Sequence, residues 1–301
     1  MVKIRVGPCG IHFFDRGTGA NLLLDEIAPQ PSRWARAPRQ VSIALTNACD
    51  LDCPYCYAPK TPRALPFELL KRWLHELDSD GTLGVGFGGG EPTLHRRFPE
   101  LCTYAATRTG LAVTFTSHGH HLDDGLLAAL KGHVHFIRVS MDGVGATYER
   151  LRGRPFDALI DRLVGIRRVA PFGINYVVNA ETLPDIDVAA SIAESTGATQ
   201  LLLLPEQPVK GRCGITRDTS VALKSWVRAY SGNVRLAVSE AARDGFPTCD
   251  PLPNEIGLRA YAHIDAQGVL RRTSFDDKGV AIRADGVMAA LCKLQNPEGD
   301  Q

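Results

Sequence analysis

The feature that most limits the fold is an alternation. From about Val41 to Ser231, short apolar runs take turns with amphipathic helical stretches, six times over. "VSIAL" precedes "FELLKRWLHELDSD" (67–80), and "TLGVGFGGGEP" leads through a glycine-rich loop to "FPELCTYAATR". "LAVTFTSHG" precedes "DDGLLAALKG", a helix with Asp123 or Asp124 as its cap, and "VHFIRVSMDG" precedes "FDALIDRLVGIRRVA". "FGINYVVN" precedes "DIDVAASIAESTG", with Gly197 past the helix end, and "TQLLLLP" precedes "TSVALKSWVRAYS". Such alternation means parallel strands joined by crossover helices. The expected fold is α/β, a partial (β/α)6 barrel of the TIM type over residues 39–231, with chemistry at the strands' C-terminal ends. A flat doubly wound sheet has the same local pattern. Residues 1–38 read as a small N-terminal hairpin turning at Arg16–Gly19. Residues 232–301 read as an extension: short strands beginning with "VRLAV", a hairpin turning at Ala266–Gly268, and a last helix from about Gly286 to Leu294.

Composition narrows the function classes. The net charge of the 301 residues is +1, which gives no nucleic-acid-binding face. No apolar run approaches the length of a signal peptide or membrane anchor; the longest, "QLLLLP", reads as a buried strand. A cytoplasmic location is expected. The basic run Arg150–Arg154 reads as a solvated helix end, with a phosphate site as the alternative. In a reducing compartment, clustered cysteines are metal ligands or catalytic groups more often than disulfides.

Three of the eight cysteines stand together as Cys49-x-x-x-Cys53-x-x-Cys56, on the loop after the first strand of the repeat. Structural zinc takes four ligands, usually as two pairs. Here the nearest histidine in the following sequence is His75, so a zinc site needs a distant ligand. A cubane iron–sulfur cluster on three thiolates keeps one iron open for another ligand, whereas clusters are ordinarily closed by four.

This loop, with Tyr55 before its last cysteine, resembles the cluster loop of the radical S-adenosylmethionine (SAM) enzymes. The resemblance covers about residues 38–230. It implies that Cys49, Cys53 and Cys56 hold a [4Fe–4S] cluster, with SAM chelating the open iron and Tyr55 in the cofactor site. Reduction would then cleave SAM to methionine and a 5′-deoxyadenosyl radical that takes hydrogen from a substrate C–H bond. Gly88, Gly89, Gly90 and Glu91 resemble the Gly-Gly-Glu segment that aligns the SAM amino group. Ser117 and His118 stand where relatives carry a Thr-Asn-Gly turn. Ser140 and Asp142 match a Ser-x-Asp-Gly segment, Ser140 toward the ribose or methionine carboxylate and Asp142 ordering the loop. Val177 and Asn179 would lie near the ribose and adenine, and Leu204 over the adenine face.

For the substrate side, His118, His120 and Glu206 are the candidate catalytic residues. Metal binding by His118, His120 and His121 together is not expected, because adjacent side chains diverge. His95, Arg138, Tyr148 and Arg212 join Glu206 as residues able to reach a barrel mouth. The extension resembles a truncated, cysteine-poor SPASM-like segment in which Thr273 stands where a thiol is expected. Cys249 and Cys292 are its remaining thiols, with Cys213 in the preceding loop; the three read as ligands of one auxiliary cluster or the segment as a vestigial hairpin without one. Cys9 and Cys102 read as ordinary packed cysteines. The resemblance implies a monomeric or weakly dimeric enzyme that modifies or cross-links a ribosomally made precursor peptide, with a flavodoxin or ferredoxin as electron donor. A mutase, dehydrogenase or cyclase acting on a small metabolite is the alternative enzyme, and a non-catalytic iron–sulfur or zinc binding module the alternative of another class.

Overall fold

The computed structural model describes residues 2–209, 211–239, 242–250 and 252–296. The chain opens with β1 (Val2–Gly7), β2 (Gly10–Asp15) and β3 (Ala20–Leu24), an antiparallel sheet of their own. The expected hairpin thus has a third strand: Gly7 to Gly10 makes a first turn, and Arg16–Gly19 the second. Gly10 has φ 121°, and a Cβ there would stand 2.1 Å from the Leu24 carbonyl oxygen, so the first turn requires glycine.

Six parallel strands follow: β4 (Gln40–Thr46), β5 (Gly84–Gly89), β6 (Ala112–Ser117), β7 (Phe136–Ser140), β8 (Phe172–Val178) and β9 (Gln200–Pro205). Each pairs with the next. The crossovers carry α1 (Phe67–Ser79), α2 (Phe98–Arg108), α3 (Asp124–Leu130), α4 (Ala146–Arg152) with α5 (Phe156–Ile166), and α6 (Ile186–Thr196); α7 (Arg217–Ala229) follows β9. Asp123 caps α3, accepting the Leu126 N–H, and Gly197 at φ 78° ends α6. Two strands of the extension join the same sheet. β10 (Arg235–Val238) adds parallel to β9, and β11 (Tyr261–Ile264) adds parallel to β4. With β12 (Val269–Arg271) and β13 (Val280–Ala281) the sheet has ten strands in the order β10-β9-β8-β7-β6-β5-β4-β11-β12-β13 and does not close. α8 (Gly286–Gln295) packs on α1, its Val287 N–H donating to Glu76 Oε2 (2.6 Å).

The sheet is packed on one face and hollow on the other. Outward residues such as Val41, Ile43, Val85, Phe87, Ile137 and Val139 are buried with Leu70, Trp73, Leu74 and Leu77 of α1 in one core. That helix places its apolar residues three and four apart, as a stripe requires. The alternate, inward positions are small or polar: Ser42, Gly86, Gly88, Thr114, Thr116, Arg138 and Ser140, all only partly buried. A closed barrel fills this space with branched side chains; here the sequence leaves it open. One buried ion pair ties the ends of the chain together. Arg5 donates through Nε to Glu255 Oε1 (2.6 Å) and through its other nitrogens to the carbonyls of Ala37, Gly81 and Arg259.

Candidate active site

The three-thiol loop leaves β4 at Thr46. Its base is closed by backbone: Asn47 N–H donates to the Arg63 carbonyl (2.9 Å) and Leu65 N–H to that of Leu45 (2.9 Å). Cys56 N–H donates to the Cys53 carbonyl (3.1 Å), turning the chain between two thiols. All eight cysteines are unpaired. Burial pushes the Cys49 and Cys53 thiols up, which a metal must reverse by taking the thiolate. Zinc at about 2.3 Å from each sulfur would hold thiolates about 3.8 Å apart. Among the described residues, the trio with ligand atoms all within 4.8 Å of one another is Asp50, His118 and His121, not the three thiols. The wider spacing suits ligands that each bind a different iron of a cluster.

That carboxylate–histidine trio is a brace, not a metal site. His118 Nδ1 accepts the His120 N–H (3.1 Å), which leaves the proton on Nε2, where it is donated to Asp50 Oδ1 (2.9 Å). In that tautomer His118 has no free lone pair for a metal. Arg154 already pairs with Asp50 Oδ2 (2.6 Å), and His121 Nε2 lies 3.1 Å from the same oxygen, out of line for a hydrogen bond. Burial alone would raise the Asp50 carboxyl; its interaction with His118 reverses this and holds it well below the usual carboxylate range.

The glycines at the end of β5 meet this loop at close range. A Cβ on Gly89 (φ 116°) would stand 2.2 Å from the Thr46 carbonyl oxygen, and one on Gly90 2.3 Å from that of Ala48. Gly90 N–H donates to Thr46 O (2.8 Å) and Glu91 N–H to Ala48 O (2.8 Å). Gly88 is different: a Cβ there meets nothing within 4 Å. It faces the hollow of the barrel. Glu91 is fully buried, and its carboxylate accepts from Thr93 N (3.1 Å), Thr93 Oγ1 (2.7 Å), Ser117 Oγ (3.0 Å) and His118 N (3.0 Å). Those donors fill the acceptor positions of a carboxylate. Glu91 and Ser117 are thus joined to each other, and the backbone of the glycine segment is what faces the hollow.

Asp142 is the other hub, wholly buried after β7. Its Oδ1 accepts the Val177 N–H (2.6 Å), and its Oδ2 accepts from the Tyr55 hydroxyl (2.7 Å) and the Arg152 guanidinium. Arg152 Nη1 also lies 3.5 Å from Cys53 Sγ. Burial works against the charge of Arg152, and Asp142 more than offsets it, raising the guanidinium's affinity for its proton. The basic run is therefore not a solvated helix end. Arg150 is, pairing on the surface with Glu181, but Arg152 and Arg154 are turned in to anchor the thiol loop. The α4 helix runs 146–152, so its residues 150 and 152 fall on different faces, and Gly153 at φ 64° swings Arg154 back toward the site.

The remaining candidates line the mouth. The Ser140 hydroxyl makes no hydrogen bond among the described residues, and Val177 and Leu204 are half-exposed at the ends of β8 and β9. Asn179 Nδ2 donates to Glu206 Oε2 (2.6 Å), and Arg212 Nε to Glu206 Oε1 (2.5 Å). Glu206 is a paired carboxylate, not a free base. The His120 ring lies 2.8 Å from the buried Tyr148 hydroxyl, and burial pushes His120 down to about 4, so it is neutral at pH 7. His95 is removed from the mouth, its Nε2 on the Leu65 carbonyl (3.0 Å). Cys102 is buried, whereas Cys9 is only half-buried, with Sγ 3.3 Å from the Asn254 N–H. Cys213, Cys249 and Cys292 are exposed.

The radical SAM superfamily profile matches residues 43–187. The Fe-coproporphyrin III synthase of Methanosarcina barkeri is 28% identical over 50% of this chain and 39% of its own length. The PqqA peptide cyclase of Granulibacter bethesdensis is 29% identical over 54% of this chain and 46% of its own. The chain thus spans less than half the length of these curated relatives. Among solved structures, Streptococcus suis SuiB bound to precursor peptide SuiA superposes with a TM-score of 0.71, covering 91% of this chain and 82% of that one at 15% identity, which is a likeness of fold. The same protein bound to S-adenosylmethionine gives the same score. The matched segment, residues 43–187, is a radical SAM domain, and it holds the thiol loop, the glycine segment and the Asp142 hub.

Proposed function

We propose that this chain is a radical SAM enzyme that abstracts hydrogen from a C–H bond of a ribosomally made precursor peptide. The observation that carries the chemistry is the docking of the three-thiol loop onto Gly89 and Gly90, with Gly88 beside it opening into an unfilled barrel. Cys49, Cys53 and Cys56 would hold the [4Fe–4S] cluster, and Ser140, Val177, Asn179 and Leu204 would contact SAM. When bound, the pair supplies one-electron cleavage of SAM and hydrogen-atom abstraction. The protein's own residues do the rest. Asp142 and Arg152 fix Tyr55 and Cys53, while Asp50, His118 and Arg154 brace the loop's other side. The apolar strand ends keep water from the reacting centre.

The peptide part of the reading is supported by the peptide cyclase among the relatives and by the precursor-bound structural neighbour. A small-metabolite substrate is supported by the coproporphyrin synthase. The electron would come from a flavodoxin or ferredoxin. Residues 1–38, 39–231 and 232–301 would act as leader-facing sheet, catalytic barrel and SPASM-like remnant. The test is anaerobic. The cluster is reconstituted, SAM and dithionite are added, and 5′-deoxyadenosine is measured for wild type and Cys53→Ala. Product from wild type alone is expected. No product from a protein holding four irons would refute the reading. A genomically adjacent precursor-like peptide that neither binds nor changes mass on turnover would refute its peptide part.

A further inference from the structure

The barrel contains a positive charge that no acidic side chain among the described residues neutralises. Arg138, two residues before Ser140 on β7, projects into the hollow. Nη1 donates to Asn175 Oδ1 (3.3 Å) and Nη2 to Gln200 Oε1 (2.5 Å). Both acceptors are neutral amides, and the guanidinium has five N–H donors. Desolvation lowers its proton affinity to about 10, and among the described residues no carboxylate pairs with it. Burying a charge without a counter-charge is costly, and chains retain such residues where a ligand supplies the partner.

The space beside it is a cavity of about 440 Å³, lined by Arg138, Gln40, Thr114, Phe136, Gln200 and Arg235. Among the described residues no acidic side chain lines it. Gln40, Phe136, Gln200 and Arg235 are the first residues of their strands, so the cavity opens at the end of the barrel opposite the thiol loop. Glycine widens it: on β5, a Cβ at Gly86 would stand 3.2 Å from Thr114 Oγ1 and 3.4 Å from Gln40 Nε2. Arg138 lies about 7 Å along the strand below Ser140, at about 3.3 Å per residue. Arg235 stands exposed at the rim with a second positive charge.

We infer that this cavity is the substrate's anchor, a site for one carboxylate paired with Arg138 that holds the substrate carbon beneath the SAM layer. The inference rests on the radical SAM reading for its purpose but not for its test. A single half-buried guanidinium matches a monoanion, and its planar fork matches a carboxylate in particular. The carboxylate comes either from an acidic side chain inside a peptide or from a free acid or chain terminus.

The test is calorimetric titration of the protein before and after cluster reconstitution and SAM loading, without reductant, so failure to hold or to cleave SAM leaves the result standing. The probes are N-acetylglutamate α-amide, which carries a side-chain carboxylate, and N-acetylalanine, which carries a terminal one. Their neutral controls are N-acetylglutamine amide and N-acetylalaninamide, with inorganic phosphate as a further competitor. At least one acid is expected to bind at least tenfold more tightly than its neutral control. Arg138→Gln is expected to weaken it at least tenfold. The acid that binds more tightly identifies the source. Equal binding of acid and control, or of phosphate and acid, overturns the inference, as does a folded Arg138→Gln protein with wild-type affinity. The comparison of acid with control in wild type needs no variant, so misfolding of Arg138→Gln cannot rescue the idea.

Discussion

Replacing Asp142 by Asn tests how the site is held. The substitution keeps shape and keeps an oxygen for the Val177 N–H. The damage falls on the other side of the carboxylate, where an amide N–H₂ would face two donors, the Tyr55 hydroxyl and the Arg152 guanidinium. Asp142 is fully buried, and the Arg152 side chain is 11% exposed, so solvent compensates little. Removing one partner of a buried ion pair costs about 3–5 kcal/mol because the other charge remains. With a urea dependence of roughly 3 kcal/mol per molar for a chain of this size, the midpoint of unfolding falls by about 1–1.7 M. The measurement is urea unfolding of the cluster-free protein followed by tryptophan fluorescence. Arg152→Met in the same background removes the stranded charge, and the double variant is expected to recover about half the loss. A midpoint within about 0.3 M of wild type for Asp142→Asn would mean that the pair is solvated, and the hub described above would have to be abandoned.

Three further outcomes follow from the same geometry. Gly88→Ala adds a methyl to open space and leaves the melting temperature unchanged, whereas Gly89→Ala meets the Thr46 carbonyl at a positive φ and lowers both thermal stability and reconstituted iron per chain. His263, buried beside Ser42 Oγ (2.6 Å), is pushed down to about 4 by burial. Its folded pKa lies below the unfolded value, so its stabilising contribution is whole above about pH 6.5 and is lost as pH falls toward 4; going from pH 7 to pH 5 costs about 2 kcal/mol, a loss that His263→Gln abolishes in parallel urea titrations. Glu255→Gln strands the buried Arg5 and lowers stability by about 3 kcal/mol, with the N-terminal sheet becoming the first segment cut in limited proteolysis.

What could be read from the chain in advance was local. The strand–helix alternation needs only hydrophobic period and caps, and helices such as Phe98–Arg108 fall where that period places them. The thiol loop and the glycine segment are contiguous, and their spacing carries their meaning. The details that hold them are not contiguous. Arg152 is spaced from Cys53 by most of three strand–helix units, and nothing near it in sequence separates it from its surface neighbour Arg150. Arg5 and Glu255 sit at opposite ends of the chain. The inward turn of Glu91 toward Ser117 and His118 depends on the β5–β6 register, a pairing that sequence period does not encode. Arg154 had a signal of a kind: Gly153 at the helix end marks a reversal, and a charge just past a reversal is placed by tertiary structure.

The pairing of β11 with β4 has a consequence for how the chain is made. β4 leads into the thiol loop, but Tyr261–Ile264, which covers its free edge, is synthesised only after β5 to β10. At about 5–20 residues per second the gap between the two is roughly 10–40 s. Throughout that interval the strand that carries the cysteines is a bare edge, open to wrong partners. Metal loaded before β11 is made would bind a loop whose supporting strand is still unpaired on one side. The order of the strands therefore favours completion of the sheet first and assembly of the metal centre afterwards.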